Sequence, residues 1–132
     1  MYALIDSGNQ KKIERFGSYL IQRPCFQAYW NPQQTQEVWE RADAQFSRDK
    51  KEGWHLNKQL PPSWDITLQG VRLKIALTDF GHLGVFPEHT MHWEWMWDQI
   101  QKTKAKKVLN LFAYSGAATL FLAQKKNRRL PC

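Results

Sequence analysis

A chain of 132 residues with 42% hydrophobic content and seven Trp holds material for one core, or for a small module joined to part of another. A mean hydropathy of -0.63 and the lack of any long apolar run exclude a membrane span, and MYALIDSGNQ shows no basic stretch leading into an apolar one, so no secretory leader is expected. The net charge of +7 is uneven, because Lys102, Lys104, Lys106, Lys107, Lys125, Lys126, Arg128 and Arg129 all follow Asp98, the last acidic residue.

That basic segment reads either as an attractor for phosphate or as a solvated link and tail. It is not independent support for an RNA partner. Cys25 and Cys132 are isolated thiols without CxxC or Cys/His ligand spacing. They fit a reduced, cytoplasmic setting and predict no metal site.

Residues 2–5 alternate weakly and stop at Asp6-Ser7-Gly8-Asn9, four turn formers in a row. Ile13-Glu14-Arg15-Phe16 before Gly17 reads as the returning strand and residues 19–21 as a third, a small meander. Lys11, Lys12, Glu14 and Arg15 read as strand-face solubility or as substrate contacts. Pro24 and Pro32 bracket an extended stretch holding Phe26, Tyr29 and Trp30. Thr35 reads as an N-cap, and Val38, Trp39, Ala42 and Phe46 have helical spacing to about Arg48, with Trp39 as a packing anchor. A polar turn over residues 49–53, a short strand over 54–56 and a loop at Pro61-Pro62 follow.

Ile66, Leu68, Val71, Leu73, Ile75 and Leu77 carry the clearest alternation of the chain. Two runs flank Gln69-Gly70, so a β-hairpin is expected with one buried face and with Thr67, Arg72 and Lys74 outside. Residues 78–88, TDFGHLGVFPE, form a loop whose His82 and Glu88 permit acid–base chemistry or plain turn and helix-start roles. Trp93, Met96, Trp97 and Ile100 share one face of an amphipathic helix begun near residues 87–90. Residues 102–107 link it to the next element.

The stretch that organises the chain is residues 108–123, VLNLFAYSGAATLFLA. Val108, Leu109, Leu111 and Phe112 make an apolar run for one buried strand, Tyr114-Ser115-Gly116 a tight turn, and residues 117–123 a helix. Strand, Gly-containing turn and helix open a βαβ unit, with free backbone N–H groups and a positive helix end aimed at a ligand position. A single glycine is less than a phosphate-binding fingerprint.

LNLFAYSGAATL resembles the first S-adenosylmethionine (SAM) motif of class I SAM-dependent methyltransferases, in the form found in bacterial enzymes related to rRNA cytosine-C5 methyltransferases. DSGNQKKIERFG and GHLGVFPEHTMHWEW resemble segments that precede the cofactor domain in one group of that family. The likeness runs over residues 2–123 in the family's order and spacing. It implies an α/β fold: a small N-terminal α+β region over residues 1–88, then, over residues 89–132, the first βα unit of a Rossmann-like SAM-binding domain, truncated.

The resemblance also implies SAM as cofactor. Asn110, Phe112, Ala113, Tyr114, Ser115 and Gly116 would line its methionine side, with Phe86 and Glu88 on another wall. His82, Gly84, Phe86, Pro87 and Glu88 match a family segment close to H-T-G-L-F-P-E-Q. Leu83 stands where Thr is usual, and His89 stands where Gln is usual, which removes an amide that would bond the cofactor. Ser115 replaces a common Thr and keeps the hydroxyl, while Ala117 replaces a common Gly.

An acidic residue about 20 residues past the loop is expected to hold the ribose. That position falls at or beyond Cys132, and no Asp or Glu follows Asp98. The resemblance thus implies the N-terminal part of a methyltransferase acting on RNA, ended by truncation or by a frame change. No catalytic residue is assigned and no turnover by this chain alone is expected; neither Cys25 nor Cys132 has the setting of a C5 nucleophile. A strand at residues 108–112 without neighbours in the chain predicts self-association or a complementing chain. The alternative is a non-catalytic remnant or a small module that binds RNA or a partner.

Overall fold

The computed structural model describes residues 1–48 and 53–127. Strands β1 (Tyr2–Gly8), β2 (Lys11–Phe16) and β3 (Tyr19–Pro24) pair as an antiparallel meander. β1 continues through the expected turn at Asp6, with a shift of register between Leu4 and Asp6. The chain reverses instead at Asn9-Gln10, with φ of 47° and 60°, the two-residue geometry that matches strand twist.

Asp6 is committed elsewhere. Its carboxylate accepts the backbone N–H of Ser7 (2.8 Å), Gln34 (2.8 Å) and Gln33 (3.3 Å) and the Trp39 indole N–H (3.1 Å). Those bonds draw the connection after β3 back across the meander. Trp39, expected as a packing anchor, is only half-buried and lies outside the core; its indole hydrogen bond to Asp6 is what holds it.

Helix α1 covers only Gln36–Glu40 and does not continue to Arg48. Ala44–Ser47 is strand β4, parallel to β3 and antiparallel to β5 (Gly53–Leu56), which completes a sheet of order β1-β2-β3-β4-β5. Ala42 and Phe46 stand four apart, a step that keeps one face in a helix and in a strand alike, so spacing alone could not separate the two. Tertiary bonding decides: the Asp43 N–H donates to the Leu20 carbonyl (2.7 Å), and the Asp43 carboxylate accepts the Leu20 N–H (2.8 Å). Residues 49–52 of the expected polar turn lie outside the described residues, and Gly53 opens β5.

The predicted hairpin forms from β6 (Trp64–Leu68) and β7 (Val71–Ile75), turning at Gln69 (φ 48°) and Gly70 (φ 80°). Ile66, Leu68, Val71, Leu73 and Ile75 are buried, while Thr67, Arg72 and Lys74 face solvent. Each such buried aliphatic side chain contributes about 1.5–3 kcal/mol by transfer. A 3-10 turn at Pro87–His89 leads into α2 (Thr90–Thr103), which buries Trp93 and Trp97, and α3 spans Ala117–Asn127. One core joins Phe16, Ile21 and Ala44 of the sheet to the hairpin, to Leu83 and Val85, and to both helices. It draws on residues before and after position 88.

The helices explain part of the basic segment. Lys102 lies in the last turn of α2, and Lys125 and Lys126 in the last turn of α3, where helix carbonyls favour cations. Lys125 also pairs with Glu94 at 3.4 Å. No helix among the described residues is long and apolar enough to cross a membrane.

The mixed α/β architecture is as expected, but the strand at residues 108–112 is absent. Leu109 is 82% and Phe112 99% exposed. A strand needs a hydrogen-bonded neighbour, and no described strand pairs there. The apolar run therefore crosses the surface as irregular chain into α3, which continues past Ala123 to Asn127.

Candidate functional site

The loop after β7 hangs from the N-terminal sheet by a buried ion cluster. Glu14 is fully buried; its Oε1 accepts the Tyr2 hydroxyl (3.0 Å) and pairs with Lys12 Nζ (3.0 Å). Its Oε2 accepts Arg23 Nε (2.9 Å) and Nη2 (2.6 Å), and Arg23 Nη1 donates to the Gly81 carbonyl at 3.3 Å. Glu14 is therefore no solubility residue but the counter-charge that keeps Arg23 in the interior. Burial first, then the Glu14 carboxylate, with Glu88 adding, push the Tyr2 hydroxyl well above its usual range.

From Gly81 the loop is held by local bonds and a close packing contact. Gly81 has φ 74°, and a Cβ there would run into the Phe46 ring. The Thr78 N–H and hydroxyl both donate to the His82 carbonyl (3.0 and 2.9 Å), and the His82 N–H returns to Thr78 Oγ1 (3.2 Å). Leu83, at the position where Thr is usual, is fully buried and belongs to the core. The His82 ring meets Phe86 edge-on at 5.7 Å, while Glu88 is exposed and no hydrogen bond joins it to His82. The acid–base pair that the sequence permits is not assembled.

Phe86 carries the loop to the second predicted segment. Its ring centroid stands 5.1 Å from that of Tyr114 and 5.3 Å from that of His89. Between them opens a cavity of about 300 Å³. Of the residues the resemblance assigns to the cofactor, Phe86, Asn110, Phe112, Ala113, Tyr114 and Ser115 line it, although two separate stretches of sequence supply them. Gly116 and Glu88 do not reach the wall.

Local bonding holds the second segment. Asn110 Nδ2 donates to Thr119 Oγ1 (2.8 Å), which ties the incoming chain to α3. The Gly116 N–H donates to the Ala113 carbonyl (2.8 Å), and the Gly116 carbonyl accepts the Leu120 N–H (2.9 Å), closing the turn and starting the helix. Phe112 (φ 58°) and Tyr114 (φ 53°) sit in the left-handed region, rare for bulky residues and a recurrent sign of a functional segment. Sequence reasoning missed His92, Trp93 and Met96, which also line the cavity. Helical spacing assigned Trp93 and Met96 to the core face, and that face meets both the core and the cavity.

Aromatic rings, two imidazoles, the Asn110 amide, the Ser115 hydroxyl and the first turn of α3 (Ala117, Ala118) surround the space. No carboxylate lines it among the described residues. Such a wall suits a ligand with an anionic end and a flat or cationic body rather than proton transfer.

No family model matches the sequence. The structure is similar to that of a SAM-dependent methyltransferase from Agrobacterium tumefaciens, with a TM-score of 0.81 and 41% identity over 93% of this chain and 40% of that one. The structural neighbours are SAM-dependent methyltransferases. A putative SAM-dependent methyltransferase from Streptococcus mutans matches 92% of this chain and 35% of its own, with a TM-score of 0.63 and 18% identity, a likeness of fold alone. The chain thus spans well under half the length of these methyltransferases.

A larger groove of about 410 Å³ lies between the ends of α2 and α3, lined by Trp97, Ile100, Val108 and Leu122 with Lys104 and Lys126. Of the residues that resemble the methyltransferase motifs, only Asn110 and Thr119 border it. Its apolar floor adjoins the exposed 108–112 segment, so it reads as packing surface rather than as the site. Among the described residues no three His, Cys, Asp or Glu side chains cluster to hold a metal.

Proposed function

We propose that this chain is the N-terminal portion of a SAM-dependent methyltransferase, and that the cavity between Phe86 and Tyr114 receives the methionine end of SAM. One observation carries the reading: residues named from two separate motifs converge on a single wall. The first turn of α3 favours the carboxylate of the amino-acid part. The aromatic faces of Phe86 and Tyr114 favour the sulfonium centre. SAM, when bound, supplies an activated methyl group.

The residues present fit only part of SAM. Among the described residues no Asp or Glu lines the cavity, and none follows Asp98 in the sequence, so the ribose hydroxyls lack an acidic partner in this stretch. The proposal therefore assigns these 132 residues a cofactor-binding share without turnover of their own. RNA is the proposed substrate and the cytoplasm the proposed location. The apolar 108–112 segment and the groove beside it are the proposed seat of complementing β elements or of a second copy of the chain.

Titration of the purified chain with SAM in a calorimeter tests the cofactor reading. Saturable heat with a Kd in the micromolar range is expected. Absence of heat at millimolar SAM rejects the cavity as a cofactor site in this chain.

A further inference from the structure

We infer that a groove running across strands β3, β4 and β5 of the N-terminal sheet binds single-stranded nucleic acid. The inference rests on the RNA reading above but not on the cofactor cavity. The groove measures about 570 Å³, and strand pairing builds it. Gln22 is the register partner of Gln45 and Gln45 of His55, so two amides and an imidazole stand in one row across β3, β4 and β5. Gln22 Nε2 donates to Gln45 Oε1 at 3.5 Å, which orients the row. Lys11, opposite Pro24, closes one end.

Phe26 and Arg48 flank this row. Phe26 is 47% exposed, and the Arg48 guanidinium carbon lies 5.2 Å from its ring centroid, a flat cation–aromatic pair at the rim. Cations that neutralise phosphate, aromatic and guanidinium planes that stack bases, and amides that meet base edges are the three elements by which single strands are held. An acidic peptide would use the cations but leave the aromatic plane and the amide row without a purpose. The groove also touches the machinery of the loop, since Arg23 and Phe46 border it while the first bonds the Gly81 carbonyl and the second packs against Gly81.

The test is fluorescence anisotropy of a labelled single-stranded RNA of about ten nucleotides, a length within the usual site range, titrated with the whole chain at several salt concentrations. Binding at low salt is expected. Lys11→Gln and Arg48→Gln should each weaken it and flatten the log–log salt slope by about 0.7. Phe26→Leu, which keeps apolar volume without a π face, should weaken it roughly fivefold to a hundredfold, and Phe26→Trp should retain it. No binding at low salt overturns the proposal. So does full affinity in Phe26→Leu, or equal competition by polyglutamate, either of which marks a site for acidic chains in general. None of these readouts depends on SAM, so failure of the cofactor reading leaves them standing, and the reverse also holds.

Discussion

The ring of Phe86 stands 5.1 Å from the ring of Tyr114, and this contact joins the loop after the hairpin to the turn before α3. Aromatic pairs of this kind contribute about 0.5–1.5 kcal/mol beyond their buried area. Phe86→Ala should therefore lower the unfolding free energy by at least about 0.5–1.5 kcal/mol, the half-buried ring being lost with the pair. By removing an aromatic face for the sulfonium it should also weaken SAM binding by roughly twofold to tenfold, about 0.5–1.5 kcal/mol. Calorimetry beside urea denaturation checks both parts.

Glu14 balances Arg23 and Lys12 from a fully buried position. Removing one partner of a buried pair leaves a charge without compensation, at a cost of about 3–5 kcal/mol. Against a domain stability of about 5–15 kcal/mol, Glu14→Ala should leave the chain largely unfolded under mild denaturant. Urea curves followed by Trp fluorescence measure this. A loss under about 1 kcal/mol would show that the cluster is solvated.

Asp6 makes stability depend on pH. Burial works against its charged form, but the N–H groups of Gln34, Gln33 and Ser7 and the Trp39 indole outweigh burial and hold the carboxyl below its usual range. A lowered folded-state value means that the stabilisation is complete above the ordinary carboxylate range, about pH 4. It is lost as pH falls through the lower folded-state value. Asp6→Asn should cost about 1–3 kcal/mol at neutral pH. The gap between the two proteins should close on acidification, as denaturation series at several pH values would record.

Two glycines with similar φ should respond differently. Gly116 (φ 79°) has open space where a Cβ would stand, so Gly116→Ala pays only the left-handed strain, about 1–2 kcal/mol. Gly81 (φ 74°) meets the Phe46 ring, so Gly81→Ala should cost more and should also disturb the loop that carries Phe86. Thermal unfolding of the two variants ranks them. Equal losses would mean that Phe46 moves aside freely.

The exposed run of Val108, Leu109, Leu111 and Phe112 should drive self-association at tens of micromolar chain, on the order of ordinary weak interfaces. Sedimentation velocity should show oligomers that Leu109→Lys with Phe112→Lys disperses. A monomer at all concentrations would remove the proposed partner surface.

Elements whose periodicity matches a single structure were legible in the sequence. The β6–β7 hairpin alternates strictly around Gln69-Gly70, and α2 repeats its apolar residues at three and four. β4 was not legible, because Ala42 and Phe46 satisfy both periods and the deciding bonds come from Leu20, far away in the chain. The run at residues 108–112 has the composition of a strand, yet composition cannot supply the neighbours that a strand must bond. The convergence of Phe86 with Asn110 and Tyr114 could be expected only from resemblance, since no local pattern reports that two loops meet. The buried role of Glu14 was hidden for a related reason. Its partner Arg23 lies on the next strand, and charges on a short strand ordinarily face water.

The central claim is that the cavity between Phe86 and Tyr114 takes the cofactor. Amide NMR spectra recorded while S-adenosylhomocysteine is added test it most directly. The account predicts saturable shifts confined to Phe86, to residues 110–116 and to the first turn of α3. Shifts centred on the groove between the ends of α2 and α3, or no shifts at millimolar ligand, would contradict it.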